Sequence, residues 1–233
     1  MEKRGFKFGA YDTAEKGWTL TGWEFTEPEL IENYITVPGR LDGPLDASTA
    51  LTNGDPRYGS RKLTATFECS EGSRTEREDV VTKMRNYLDG RKDDIYFPDI
   101  LLHHANGRIR VEKLYNDLVH ASVRVTAICE PWLYSEGTKV VPLKTEEAEV
   151  LTKDITNNGR RLVIPTIEVL SGSVSLSGDG DGGYIDAPHT LAYTVLSNGT
   201  YQLPGFYILP AETFTLKCSG TFSVRLLYRE AIL

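Results

Sequence analysis

Alternation of apolar and polar side chains runs through much of the chain and predicts β-strands. In residues 62–69 every second residue, starting at Leu63, is apolar, and the residues between them are polar or charged. This period of two is typical of a half-buried antiparallel strand. The segment 121–129 has the same period, and Pro131 is expected to end it. Similar patterns predict strands at residues 18–23, 34–37, 94–97 and 107–112.

One segment has the spacing of a helix instead. Its apolar residues fall on one helical face: Val80, Val81, Met84, Tyr87 and Leu88. Two overlapping capping boxes precede them, Ser73–Glu76 and Thr75–Glu78, and Gly90 stands where a helix often ends. The pattern predicts a surface helix over residues 76–89 that covers a sheet.

The amino-acid composition changes from about Val140, where charged residues become fewer and Ser, Gly and Thr become more frequent. Short predicted strands are separated by turn residues, without a helix, which is typical of a β-sandwich or jelly roll. These strands are expected at residues 161–165, 166–170, 173–176, 190–195, 201–203, 214–218 and 222–228. We therefore predict two domains, residues 1–142 and 143–233.

Composition excludes several classes of protein. The chain has 233 residues and a formal net charge of −7, which argues against binding nucleic acid through its phosphates. It contains no run of about 18 apolar residues, and its first residues lack the apolar segment of a secretory signal, so neither membrane insertion nor secretion is expected. The cysteines are few and widely spaced, and we expect reduced thiols rather than a disulfide framework.

Chemistry-bearing motifs are scarce. Neither a nucleophile elbow nor a phosphate-binding loop nor a zinc-protease motif occurs. His103 and His104 are adjacent and would point apart on a strand, so we interpret them as an exposed loop pair rather than a metal site. Asp179–Gly183 resembles the start of a calcium loop but lacks the later ligands, and is better explained as a hairpin tip. We predict no enzyme activity, cofactor or metal.

Two segments carry more information than composition does. Residues 34–46 contain the pattern PGRxDGxLD after a strand, and residues 58–67 contain YGxRxLxxxF. Together they resemble the distal tail protein of siphophages, the phages with long non-contractile tails. Further segments are similar to that family at residues 88–92, 107–111, 129–132, 157–169 and 228–233. In the last of these, Ala231 stands where the family pattern has glycine.

The resemblance covers nearly the whole chain, and it implies a mainly β fold. It implies an N-terminal split β-barrel related to tail-tube proteins, with one helix, and a C-terminal galectin-like sandwich. Six copies would form a hub ring, alone or as a double ring, at the tail tip of the virion, after synthesis in the host cytoplasm. The ring would join the tail tube protein to the tail-associated or fibre protein, and DNA would pass through its lumen without specific binding.

The motif residues are the candidates for turns and for the contacts between subunits. They are Gly39, Arg40, Asp42, Gly43, Asp46, Tyr58, Gly59 and Arg61. Gly39 and Gly43 suit turn dihedrals, and Asp46 is expected to cap the segment that follows it. Arg40 and Arg61 could each pair with a carboxylate within the subunit or across the ring. The predicted strands 62–69 and 121–129 could pair between subunits if they lie at sheet edges.

A second function, from a different class, stays open. Aromatic residues of the C-terminal domain could stack on sugar rings, which would make it a carbohydrate-binding module for host cell-wall saccharide. These aromatic residues are Tyr184, Tyr193, Tyr201, Phe206 and Tyr207. Residues 143–233 have the size of one sandwich and leave no room for an inserted binding module. The sequence does not separate a phage protein from a prophage or tailocin component.

Overall fold

A computed structural model of the chain describes residues 5–36, 44–48, 56–100, 102–145, 150–183 and 188–233. These residues are mainly β-strand, and they contain one α-helix. The mainly β fold class with a single helix, predicted from the sequence, is therefore confirmed. The chain divides into two compact units, Met1–Tyr134 together with Leu233, and Ser135–Ile232.

Nine strands and the helix are assigned up to residue 135. They are β1 (Lys7–Phe8), β2 (Tyr11–Asp12), β3 (Thr19–Phe25), β4 (Tyr34–Ile35), β5 (Leu45–Asp46), β6 (Arg61–Cys69), α1 (Arg74–Leu88), β7 (Lys92–Tyr96), β8 (His103–Asn116) and β9 (Ala121–Ser135). One sheet has the strand order β2-β1-β7-β8-β9-β6-β3, and β4 pairs with β5 separately.

The sheet order corrects one expectation about assembly. β6 and β9 could pair between subunits only if they lay at sheet edges, but β6 lies between β9 and β3, and β9 lies between β8 and β6. Their backbone groups are therefore used within the chain. The pairing of β3 along β6 is what removes the free edge of β6. Every second residue of β6, from Arg61 to Cys69, is buried.

The helix packs its apolar stripe on this core, and it begins earlier than expected. Of the two possible capping boxes, the first is formed: the Ser73 hydroxyl accepts a hydrogen bond from the Glu76 amide, and the Glu76 carboxylate accepts one from the Ser73 amide at 2.6 Å. Helix α1 therefore starts at Arg74 rather than at residue 76. Val81, Met84 and Leu88 are buried against the sheet.

Two further expectations for the first unit were wrong. β9 continues through Pro131, which is tolerated on the β6 side because β6 begins at Arg61, opposite Cys129, and offers no partner further along. The histidine pair is not an exposed loop: His103 and His104 open β8. His104 is only 1% exposed and lies between two tyrosine rings of the neighbouring strands, so a ring-stacking position explains it better.

The second unit is built from strands alone in the part that is described. They are β10 (Lys139–Thr145), β11 (Val150–Thr156), β12 (Thr166–Gly180), β13 (His189–Tyr201), β14 (Thr213–Ser219), β15 (Phe222–Tyr228) and β16 (Ala231–Ile232). One sheet has the order β10-β15-β12-β14-β11, and β13 pairs along β12. A second apolar core, which includes Phe206 and Phe214, is buried among these strands.

Strand β12 turns a corner in this sheet. Its first part pairs with β15 up to Gly172, and its second part pairs with β14 from Ser175 onwards. Gly172 has a φ of +79°, and a Cβ there would lie 2.0 Å from the Thr221 carbonyl oxygen. Only glycine fits a backbone that passes so close. β12 therefore pairs with β15 in its first part and with β14 in its second part.

The strand predictions for this unit were correct in kind but not in extent. Residues 161–165 form no strand, only a bridge between Val163 and Ile208. The two strands predicted at 166–170 and 173–176 are one strand with a register shift, because the irregular Leu170–Gly172 segment interrupts the alternation that marks a strand. β10 and β11 were missed. Asp181 and Gly182 follow the end of β12, and β13 pairs back on β12, as expected for a hairpin.

Candidate functional site

The connection between β3 and β6 leaves the sheet at a small hydrogen-bonded base. The Thr26 amide donates to the Lys62 carbonyl at 3.0 Å, and the Lys62 amide donates back to the Thr26 hydroxyl at 2.9 Å. Arg61 Nε donates to the Thr26 carbonyl at 2.8 Å. Both ends of the connection are thus fastened at one point, where the core of the first unit ends.

Arg61 is the anchor of this base, and it is only 4% exposed. Its guanidinium carbon lies 4.0 Å from the centre of the Phe25 ring, and its Nη2 lies 3.5 Å from the Glu27 carboxylate of the same chain. Burial lowers the pKa of Arg61, while Glu27 acts in the opposite direction. The planar guanidinium of arginine can stack on a ring and donate hydrogen bonds in its own plane, which the ammonium group of lysine cannot do.

Three of the sequence motifs meet beside this anchor. Arg61 of the YGxR motif is the cross-strand partner of Cys129 in β9. The Tyr58 ring packs edge-on against Trp132, with 5.8 Å between ring centres. A Cβ on Gly107, in the GRIRV segment, would lie 2.6 Å from the Cys129 sulfur. The motifs therefore belong to one continuous packing arrangement. Trp132 lies in the similar segment 129–132, but it was not among the candidate residues.

Beyond the base, the described parts of the connection form an arm, which we define as residues 27–36, 44–48 and 56–60. The Gly59 amide donates to the Glu29 carbonyl and the Ile31 amide to the Arg57 carbonyl, both at 2.8 Å. Further out, β4 pairs with β5 through Tyr34 and Asp46. A Cβ on Gly59 would meet the Glu29 carbonyl only at 3.6 Å, so this glycine is not required by space.

Asp46 shapes the turn at the outer part of the arm. Its Oδ1 accepts a hydrogen bond from the Ser48 amide at 2.9 Å, and the Ser48 hydroxyl accepts one from the Asn33 amide at 2.7 Å. The hydrogen bonds from Ser48 lower the pKa of Asp46. The nearby charges of Glu32 and Asp46 raise the pKa of Tyr34. Asp46 thus closes a turn over Asp46–Ser48, and the segment beyond Ser48 that it was predicted to cap lies outside the described residues.

Among the arm side chains that the structure describes, no apolar core is formed. Tyr58 packs on Trp132 at the base, and four large side chains further out are exposed by 44–56%: Leu30, Ile31, Tyr34 and Ile35. None of them belongs to either buried cluster. A two-stranded ribbon with exposed apolar residues is marginally stable in water by itself. The grouping of exposed apolar side chains on one segment makes the arm a candidate interaction surface.

Four of the candidate motif residues, Gly39, Arg40, Asp42 and Gly43, lie outside the described residues. Thr26 and Phe25 hold the base together, but sequence reasoning did not single them out. The sequence pattern does not mark them, because a threonine and a phenylalanine at a strand end are common. The position of Arg61 on the core face of β6 was the one feature that indicated that it needs partners.

Other parts of the chain offer little chemistry. Among the described residues, no group of three or more His, Cys, Asp or Glu side chains is placed to hold a metal ion. No helix in the described ranges is long and apolar enough to cross a membrane. The fully buried Glu212 carboxylate accepts hydrogen bonds from the Leu209 and Gly182 amides, and it lies 3.2 Å from His189 Nδ1. This polar cluster fastens loops of the second unit and was not predicted.

The aromatic residues proposed as a sugar platform are scattered. Phe206 is fully buried, and Tyr207 stacks on His189 with 4.0 Å between ring centres. Tyr201 is half-buried, and its hydroxyl donates to the Ser197 carbonyl. Tyr193 is 70% exposed, and Tyr184 lies outside the described residues. A single exposed ring among the four that are described is a poor platform for a saccharide.

Comparison with solved structures identifies the class of fold, a β-rich two-unit fold found in phage tail hubs. The particular likeness is to the Dit protein of phage SPP1, described as a paradigm of the hub adsorption apparatus in phages that infect Gram-positive bacteria. The TM-score is 0.67 at 14% identity, over 98% of this chain and 99% of that one. The resemblance to siphophage distal tail proteins seen in the sequence is thus confirmed at the level of the fold.

A second solved structure, the baseplate of phage p2 in its activated conformation with Sr, matches with a TM-score of 0.48 and 10% identity. It covers 97% of each chain, but a likeness this weak carries no weight. No protein-family model and no curated protein matches the chain.

Proposed function

We propose that this protein is a structural hub of a phage or prophage tail, a distal tail protein whose copies assemble into a ring. The observation that carries the proposal is the likeness to the SPP1 Dit fold over nearly the full length of both chains. A fold alone does not define a function, so the step from fold to hub is an analogy that the arm and the motifs must support.

In this proposal six subunits close into a ring, which could also form a double ring. Residues 1–142 act as the ring-forming split barrel and residues 143–233 as a galectin-like sandwich. The ring joins the tail tube protein to the tail-associated or fibre protein at the tail tip of the virion, after synthesis in the host cytoplasm. A net charge of −7 per subunit repels DNA that passes through the lumen.

The arm supports assembly because it exposes apolar residues that no other part of the described chain covers. A closed ring needs a heterologous interface, in which one surface of a subunit meets a different surface of the next. The arm of one copy lying on the body of its neighbour is such an interface. The sheet edge nearest the arm is β3, since β6 and β9 are interior. Arg61 would then hold the arm at the correct angle from within the subunit.

Assembly of the full-length chain tests the proposal. We expect light scattering behind a sizing column to give a hexamer or dodecamer, and negative-stain images to show a central hole. Replacing Ile31 and Ile35 together by serine should abolish the ring without unfolding the subunit, because both side chains are already exposed. Ile128→Ser is the matched control, since Ile128 is 56% exposed on β9, outside the arm.

The proposal fails if the wild-type chain stays monomeric at high concentration even with the tail tube protein added. It also fails if the double variant forms rings like the wild type, because the arm would then have no role in closure. The carbohydrate-binding alternative has less support, because only one of its four described aromatic residues is well exposed. Saturable binding to host cell walls by the full-length chain, lost in Tyr193→Ser, would favour it.

A further inference from the structure

The turn between β8 and β9 exposes two large apolar side chains at its tip. We call Asp117, Leu118, Val119 and His120 the knob. Leu118 is 88% exposed and Val119 is 65% exposed. Hairpin turns normally carry Gly, Asn, Asp, Pro or Ser, which suit both water and the turn dihedrals. Leu118 and Val119 instead leave most of their apolar surface in contact with water in the isolated subunit.

The knob is fastened by hydrogen bonds despite its exposure. Asp117 Oδ1 accepts hydrogen bonds from the Val119 and His120 amides, both at 2.8 Å, and the Asp117 amide donates to the His120 carbonyl at 3.0 Å. The amide donors lower the pKa of Asp117. Buried Arg77 of α1 donates to the Asp117 carbonyl at 2.9 Å. A binding element held in one conformation loses little entropy when it docks.

The same unit has a groove at the other end of α1. Its volume is about 560 Å³, and its lining is Ala10, Tyr11, Lys16, Lys83, Asn86 and Tyr87. The rings of Tyr11 and Tyr87 lie 5.4 Å apart and form an aromatic wall, and Tyr87 is 37% exposed. Lys83 is paired with Asp79, whereas Lys16 makes no ion pair within the described residues.

Knob and groove cannot meet within one subunit. The knob is fastened at Arg77 and the groove includes Tyr87, so about 15 Å of helix separates them at 1.5 Å per residue. They are complementary in character: the knob offers two aliphatic side chains beside the Asp117 carboxylate, and the groove offers an aromatic wall beside the Lys16 ammonium group. Like charges do not face each other in this arrangement.

We propose that the knob of one copy docks in the groove of a second copy, head to tail along α1. This contact is heterologous, as the closure of a ring requires. It rests on the proposed function, namely that copies of this chain assemble, and it names a contact distinct from the arm. The arm brings subunits together, and the knob fixes how far one copy is displaced along the helix axis of the next.

Disulfide trapping in the full-length chain tests the contact. Leu118→Cys and Asn86→Cys are made as separate variants, and the native cysteines do not interfere because all are buried. We expect a mixture of the two variants to give a covalent heterodimer on mild oxidation, while each variant alone gives at least tenfold less dimer. The pairing of knob with knob, or no dimer from the mixture, would overturn the proposal.

A charge variant gives an independent measurement. Leu118→Glu should weaken self-association at least tenfold by light scattering, whereas Leu102→Glu, at a site 70% exposed, should leave it unchanged. If wild-type rings form and neither trapping nor Leu118→Glu has an effect, the ring proposal stands and the knob contact is wrong. If Leu118→Glu leaves rings intact but prevents binding of the tail tube protein, the knob binds that protein, and the proposed contact between copies is likewise refuted.

Discussion

The sulfur of Cys129 occupies the space beside Gly107 that a side chain would need. A Cβ built on Gly107 would lie 2.6 Å from Cys129 Sγ and 2.9 Å from the Ile128 carbonyl oxygen. Gly107 is in the β8 segment GRIRV, and Cys129 is at the start of the segment CEPW in β9. The glycine of one motif is thus explained by the cysteine of the other, without any need for special backbone dihedrals.

This contact predicts the effect of Gly107→Ala. The new methyl group cannot be accommodated without moving β9, so we expect a loss of about 1–3 kcal/mol in the free energy of unfolding. Urea denaturation measures it. Gly22→Ala is the control, because a Cβ on Gly22 in β3 meets nothing within 4 Å and should change the stability by less than about 0.5 kcal/mol. Equal stabilities for the two variants would contradict the packing argument.

The three thiols should be unreactive in the folded chain. Cys69, Cys129 and Cys218 are at most 4% exposed, and burial raises the pKa of Cys129 and of Cys218 to about 12. The thiolate is the reactive species, so at pH 8 burial opposes reaction at all three thiols, and ionisation opposes it further at Cys129 and Cys218. We expect no labelling by a thiol reagent in native buffer and three labels per chain in urea. Rapid labelling of any one thiol in the native chain would show that its strand opens.

Acid should loosen the outer arm. The hydrogen bonds from Ser48 lower the pKa of Asp46, so the ionised carboxylate stabilises the turn at pH values above its ordinary pKa. That stabilisation is lost as the pH falls through the lowered pKa of the folded state. Titration of the Asp46 carboxyl by NMR measures this value, and Ser48→Ala should move it upwards. Because the substitution keeps the backbone amide that donates to Asp46, an unchanged titration in Ser48→Ala would mean that the Ser48 hydroxyl does not lower the pKa of Asp46 in solution.

Local sequence patterns predicted most of the strands and the helix, but they did not predict which strands pair with each other. The period of two in β6 and the capping box at Ser73 depend on adjacent residues, and both were confirmed by the structure. Whether β6 is an edge depends on β3, which pairs with it from far along the chain, so the sequence could not decide it. The burial of Glu212 could not be predicted for a similar reason: its partners Gly182 and His189 lie at the two ends of the connection between β12 and β13, far from Glu212 in the sequence. Polar residues with such partners cannot be told from surface residues by pattern alone.

Arg61 should be irreplaceable even by lysine. Lysine would keep the charge but lose both the hydrogen bond from Nε to the Thr26 carbonyl and the flat stacking on Phe25. Because the site is buried, we expect Arg61→Lys to lower the free energy of unfolding by about 1–3 kcal/mol, the cost of a buried acceptor left without its charged donor. Arg91→Lys is the matched control: Arg91 also lies over a ring, that of Tyr87, but its side chain is 47% exposed, and the substitution should cost little. Urea denaturation compares the two, and a loss for Arg91→Lys as large as that for Arg61→Lys would show that burial at the base of the arm is not what makes Arg61 necessary.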